Sequence, residues 1–208
     1  MAHDKETREK LIESAKAEFM EKGYSKASLR SICSNAGVTT GALYFFFEDK
    51  ADLFKAIVGK PVDGIFEILQ AHFDEDEVIV ASAAPDADPD EYIDDHSEIA
   101  QLLIHHIYSN YDAAILVLTK SQGSEYENIV DRIVEITENK SIEMMDKIAL
   151  KTGKKKKTNK YMLHLVIHIV VDSFVQLIIH ETDEKKALAN IKKVFKMTMH
   201  NWTDTVLD

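Results

Sequence analysis

One cysteine, Cys33, stands among 208 residues. A single thiol excludes an intrachain disulfide framework and fits a reducing cytosol. Only three prolines and seven glycines punctuate the chain. No strand-like alternation of apolar and polar residues runs for any length, so the expected fold class is all-α. The first ten residues are polar, with no apolar segment behind a basic start, so no signal peptide is read there and the expected location is cytoplasmic. There is no Ser/His/Asp arrangement, no glycine-rich phosphate loop and no spaced carboxylate pair on short, well-defined elements. Neither an enzyme nor a cofactor is expected.

Positive charge is also scarce: the formal net charge is −11. That sign opposes contact with phosphate, but it is unevenly spread. Residues 1–60 hold 10 Lys/Arg and 9 Asp/Glu, whereas residues 61–208 hold 15 and 27. The acidity therefore lies outside the amino-terminal part and need not oppose nucleic acid there. That part is only weakly basic, which implies modest non-specific affinity and a need for two copies on one duplex.

What is abundant is helical periodicity. Leu11, Ile12, Ala15, Phe19 and Met20 share one face of a helix predicted over 7–23, and Gly23 supplies its stop. Ser28 is a suitable N-cap for a second helix over 29–36, Gly37 for a turn, and Thr39 for the cap of a third helix over 40–46. Asp49 would cap a fourth helix running from Lys50 to about Phe73. Gly59-Lys60-Pro61 predicts a bend or break in it, because proline removes a donor and crowds the preceding turn. Residues 74–98 carry eleven acidic groups and no Lys or Arg; they read as a solvated loop, with a helix starting near Pro89. Further helices are predicted over 89–109, 111–120 and 124–151. A lysine-rich exposed loop follows at 152–157, then a strongly apolar helix over 161–179 and an amphipathic one over 184–206.

The stretch from Ser28 to Leu53 has the pattern of a helix-turn-helix that reads DNA. A major groove about 12 Å wide accepts one helix, provided small or polar side chains face the bases. Thr39, Thr40 and Gly41 open the third helix at its exposed end. Threonine hydroxyls can bond bases or phosphates, and Gly41 lets the backbone approach. Tyr44 can stack and still offer its hydroxyl to a phosphate. Leu43, Phe46 and Phe47 form the anchoring face. Lys50, near the start of the fourth helix, could grip a phosphate together with free backbone donors. Ser28, Arg30 and Phe45 complete the candidate DNA contacts.

The wider arrangement is more specific. Thr7-Arg8, Phe19, Glu21-Lys22-Gly23-Tyr24, Ser28-Leu29-Arg30-Ser31-Ile32, Ala36-Gly37-Val38, Gly41-Ala42-Leu43-Tyr44, Phe47 and Lys50-Ala51-Asp52-Leu53-Phe54 together resemble the DNA-binding domain of the TetR family of transcriptional regulators. The resemblance covers about the first 55 residues. It implies a three-helix DNA-binding domain over 1–55 and a helical ligand-binding and dimerisation domain over 56–208. It also implies a double-stranded DNA operator, a homodimer formed through about residues 158–206, and a small-molecule effector. Phosphate contacts at Tyr44 and Lys50 are carried over. The family usually has a basic residue where Thr40 stands, His where Phe45 stands and Tyr where Phe46 stands. No lysine contact is therefore transferred to Thr40, and no polar phosphate contact to Phe45.

The apolar helix carries one further pattern. His164, His168, Asp172, Gln176 and His180 recur at i, i+4 and stack on nearly one face. With apolar residues almost all round, the helix is expected to be buried on several sides, and buried polar groups need partners. Three readings compete: satisfaction across a symmetric dimer, the lining of a ligand cavity, or a metal site built on His164 and His168, to which His105-His106 could add. Asp172 and two central histidines argue against a membrane span. The candidate effector-binding residues are His105, Tyr108, Tyr111, Met144, His168 and Asp172, with Met145 and Phe174 as further cavity-lining possibilities. The leading function is a ligand-released repressor; the alternative is a metal-responsive sensor.

Overall fold

The computed structural model describes residues 2–82, 97–152 and 158–198. Among these, all regular structure is helical: α1 (Ala2–Lys26), α2 (Leu29–Ala36), α3 (Thr40–Phe46), α4 (Lys50–Ser82), α5 (Ser97–Ser109), α6 (Tyr111–Lys120), α7 (Ile129–Thr152), α8 (Lys160–His180) and α9 (Glu184–Thr198). The helices pack as two units. One comprises the described residues of 1–64 and 110–129, the other those of 65–109 and 130–208. This packing division differs from the boundary expected after residue 55, because α6 and the start of α4 complete the first core.

In the first unit Leu11, Ala15 and Phe19 of α1 are fully buried, as are Ile32 of α2, Leu43 of α3, Leu53 and Val58 of α4, and Leu116 of α6. Phe54 sits at the centre of an aromatic cluster. Its ring centroid lies 5.0 Å from Phe19, 5.1 Å from Tyr24 and 5.9 Å from Tyr126. Edge-on pairs of this kind add to what burial alone contributes. The Cys33 thiol is buried in this core, and that burial pushes its pKa upward. α1 loses helical geometry at Gly23 (φ 73°), as its stop signal predicts. The turn after α6 fits closely under the end of α1, where the Ser25 hydroxyl donates to the Gln122 carbonyl. Gly123 has φ 84°, and a Cβ there would sit 2.6 Å from Ser25 Oγ. Gly123→Ala is therefore expected to cost about 1–3 kcal/mol, read as a lower melting temperature.

α4 corrects two expectations. It passes through Pro61 without a break. The cost of proline in a helix interior, about 3 kcal/mol, is offset by a continuous buried face of Leu53, Phe54, Ile57, Val58, Val62 and Leu69. The helix also continues through 74–82, where a loop was expected. Three of the four acidic side chains there have partners: Gln70 donates to Asp74 at 2.6 Å, His72 faces Asp76 at 3.4 Å, and Lys147 of α7 pairs with Glu77 at 2.7 Å. Residues 83–96, including the helix start expected near Pro89, lie outside the described residues, as do the lysines at 154–157 and the end of the final predicted helix. α7 begins at Ile129 and not at Ser124, because residues 124–128 complete the turn beside Gly123.

The second unit has two clusters. Val134 and Met145 of α7 pack on Leu163, Val166 and Ile167 of α8. Ala100 and Ile104 of α5 pack on Ala187 and Ile191 of α9, with Phe174 and Leu177 of α8 against them.

Candidate nucleic-acid interface

The α2–turn–α3 segment is set by short-range chemistry. Ser28 caps α2: its Oγ accepts from the Ser31 N–H at 3.4 Å. Gly37 takes the left-handed conformation (φ 67°, ψ 30°) that glycine adopts without penalty. Its N–H and that of Val38 close the end of α2 on the Ser34 and Cys33 carbonyls, at 3.2 and 3.0 Å. Thr39 Oγ1 then accepts from the Ala42 N–H at 3.2 Å and starts α3. Both helices thus begin on a hydroxyl cap, as their sequence predicts.

α3 divides into two faces. Leu43 and Phe47 point inward, at 0% and 2% exposure. Thr39, Thr40, Gly41, Tyr44 and Phe45 are exposed, with Tyr44 at 59% and Phe45 at 75%. Phe46 is not the buried anchor expected of it: it is half-buried, edge-on to Phe45 at 4.9 Å. Being adjacent to Phe47 in sequence, it cannot share the inward face fully. Exposed polar side chains on the Thr39–Gly41 turn, with two aromatic rings one turn later, make a surface that can enter a groove. Arg30 is exposed as well.

Lys50 is placed differently from the sequence expectation. Its Nζ donates to the carbonyls of Tyr24, Ser25 and Ala27, at 2.8, 3.2 and 3.4 Å, and lies 4.6 Å from the centre of the Tyr24 ring. The ammonium closes the carboxyl end of α1 and is not aimed freely at solvent. Lysine near a helix carboxyl end satisfies the last carbonyls and the local negative potential. The neighbouring start of α4 is a reciprocal cap: Asp49 Oδ1 accepts from the Asp52 N–H at 2.8 Å, and Asp52 Oδ2 accepts from the Glu48 N–H at 3.0 Å.

Glu18, which the periodicity of α1 did not single out, is the polar key of the motif. It is 3% exposed. Its carboxylate accepts from Lys22 Nζ at 2.9 and 3.0 Å, from the Ser28 N–H at 3.1 Å and from the Ser31 hydroxyl at 2.9 Å. It therefore ties α1 to the first turn of α2. Burial by itself would raise its pKa, but the donors from Lys22, Ser28 and Ser31, with the Lys22 charge, outweigh that and hold the carboxyl below its ordinary value. The legible signal was an acidic residue within the apolar register beside Phe19, which needs a partner if it is buried.

The candidate effector residues are not brought to one place. Tyr111 belongs to the first unit and the other five to the second. His105 is exposed and pairs with Glu184 at 3.0 Å; the Tyr108 hydroxyl donates to the Glu181 carbonyl. Met144 lines a small cleft of about 20 Å³ with Phe73, Glu77, Val80, Lys140, Glu143 and Lys147, room for about one water. His168 and Asp172 lie on the outer face of α8. The polar series there is not buried, contrary to expectation. His164, Asp172, Gln176 and His180 are exposed and His168 is half-buried. α8 buries only the side carrying Leu163, Val166, Ile167 and Ile178. By length and composition it could cross a membrane, but the face left open is this mixed polar one. Among the described residues, no three His, Cys, Asp or Glu side chains gather as a metal site, so His105-His106 adds nothing to His164 and His168.

Comparison with known proteins agrees with this geometry. Residues 11–57 match the sequence model of bacterial regulatory proteins, tetR family. The HTH-type transcriptional repressor BepR of Brucella suis biovar 1 (strain 1330) is 30% identical over 135 residues, 63% of this chain and 59% of that protein. The probable acrEF/envCD operon repressor of Escherichia coli (strain K12) is 42% identical over 67 residues, 32% of this chain and 30% of its own. The chain thus spans less than two thirds of the length of these curated relatives. A transcriptional regulator (TerR/AcrR family) from Aquifex aeolicus VF5 shares the fold with a TM-score of 0.57 at 20% identity, over 92% of this chain and 98% of that one. NalD of Pseudomonas aeruginosa gives 0.52 at 17% identity, over 94% and 96%. The helical architecture and the helix-turn-helix are the features that this chain shares with these regulators. The similarity to the tetR family rests on residues 11–57, the helix-turn-helix part of the chain.

Proposed function

We propose that this chain is a homodimeric transcriptional repressor that binds a two-fold operator in double-stranded DNA and is released by a small-molecule effector in the cytoplasm. The observation that carries the DNA-binding part is the outer face of α3: exposed Thr39, Thr40, Gly41, Tyr44 and Phe45 above buried Leu43 and Phe47. Two such helices one turn apart, about 34–36 Å, would enter successive major grooves. Relatives named as repressors support the sign of regulation. Release requires that the effector bind the two states with different affinity.

Duplexes selected from a random pool, followed by anisotropy titrations over a range of salt, test this reading. Binding should weaken as salt rises, in proportion to the phosphates contacted. Tyr44→Ala with Phe45→Ala should weaken the selected site about tenfold or more with no loss of melting temperature. Salt-independent or absent binding would refute the reading. A thermal-shift screen addresses the effector, since occupancy at 100 times the dissociation constant adds about 2.7 kcal/mol.

A further inference from the structure

The outer face of α8 carries two histidines one turn apart. The rings of His164 and His168 lie 4.4 Å apart, centre to centre. Each turns its Nδ1 toward a carboxylate. His164 Nδ1 is in hydrogen-bond contact with Glu138 of α7, and His168 Nδ1 lies 3.9 Å from Asp172, one turn further along α8. Among the described residues neither Nε2 has a partner. An ionised carboxylate only accepts, so Glu138 accepts the hydrogen bond of His164 Nδ1–H, and in the neutral ring the opposite nitrogen keeps its lone pair; His168 Nδ1 is beyond hydrogen-bond distance of Asp172. Carboxylate behind imidazole is the arrangement that orients metal-binding histidines and raises their basicity.

Two imidazoles are half of a tetrahedral set. No third His, Cys, Asp or Glu joins them among the described residues, so the remaining ligands must come from another molecule. The surroundings favour a second copy of this chain. Tyr161, Leu165 and Ile169 flank the pair, exposed at 74%, 41% and 41%, and offer apolar area that a second α8 would cover. Glu138 and Asp172 of two copies would bring four carboxylates around the site, a like-charge repulsion that a divalent cation would offset in part and that gives the contact a reason to depend on metal.

We propose that His164 and His168 are half of an interchain site for a divalent transition metal of the zinc class, completed by the same two histidines of a second copy across a two-fold axis. This rests on the dimeric reading above. The site would make the α8 contact metal-tightened, and would link metal availability to the spacing of the two reading helices.

The experiment titrates zinc(II), and cobalt(II) as a spectroscopic probe, into full-length chain stripped with chelator, while sedimentation reports association and anisotropy reports operator binding. One metal per two chains is expected, with a tetrahedral cobalt spectrum and a dimer that dissociates at lower concentration once metal is removed. His164→Ala and His168→Ala should each abolish uptake while the melting temperature of the metal-free chain is kept. Glu138→Gln should weaken zinc binding about 10–100-fold, and His105→Ala should leave it unchanged. Uptake that survives the His164 and His168 variants, or one metal per monomeric chain, overturns the proposal. A metal-free dimer that binds operator and takes up no zinc overturns it while leaving the dimeric regulator standing. A chain that stays monomeric with and without zinc removes both.

Discussion

Glu18→Ala is expected to lower stability by about 1–3 kcal/mol and to loosen the helix-turn-helix before anything else. The carboxylate is 3% exposed and accepts four hydrogen bonds from three residues. Its removal strands the Ser28 N–H and the Ser31 hydroxyl in a half-buried seam between α1 and α2. Lys22 simply returns to water, so Lys22→Met should cost much less. Glu18→Gln keeps the shape and one acceptor but loses the charge, and separates the two contributions. The pH dependence follows from the same donors. The folded carboxyl titrates below its ordinary value, so its contribution is complete at neutral pH. It is lost as pH falls from the unfolded value of about 4.3 through the lower folded one. Urea titrations between neutral pH and the acid limb should show this loss in the parent chain and its absence in Glu18→Gln. Equal acid sensitivity of the two would refute the account. Because Ser28 sets the start of α2, the alanine variant should also weaken operator binding under conditions where the chain is still folded.

The helix-turn-helix was legible because its determinants are local. Ser28, Gly37, Thr39 and Asp49 act within four residues of themselves, and each stands in its expected place. What was not legible depends on partners distant in sequence. The acidic run after Phe73 reads as a loop until Lys147 is known to sit against Glu77. Pro61 reads as a break until the buried face on both sides of it is counted. Lys50 reads as a free cation, because nothing near it in sequence announces the carbonyls of Tyr24, Ser25 and Ala27. The series on α8 was legible as a pattern but not as a location. Its period shows that five polar groups share a face, but not whether that face meets another helix, a cavity or water. In the single chain it is open. That the candidate effector residues lie apart has a related reason: aromatic and histidine side chains on separate helices carry no mutual register in one sequence.

Ile169→Asp is expected to reduce operator affinity about 100-fold or more, although residue 169 belongs to a different packing unit from α3. Ile169 is 41% exposed in the single chain, so a carboxylate there meets water and the monomer should keep its melting temperature. In a dimer formed through α8 the same carboxylate would be desolvated next to its two-fold mate, and both burial and like charge oppose that. Loss of the dimer separates the two half-sites. A single weakly basic head, with 10 Lys/Arg against 9 Asp/Glu over residues 1–60, then binds alone, near the non-specific range of about 10⁻⁴–10⁻⁶ M, where a paired regulator would reach about 10⁻⁸ M or tighter. Sedimentation and anisotropy on the same preparation decide the matter. A monomer with weakened binding and a shallower salt slope is the expected pair of results. An unchanged dimer would move the interface off this face of α8, and full affinity from a monomer would show that one reading helix suffices.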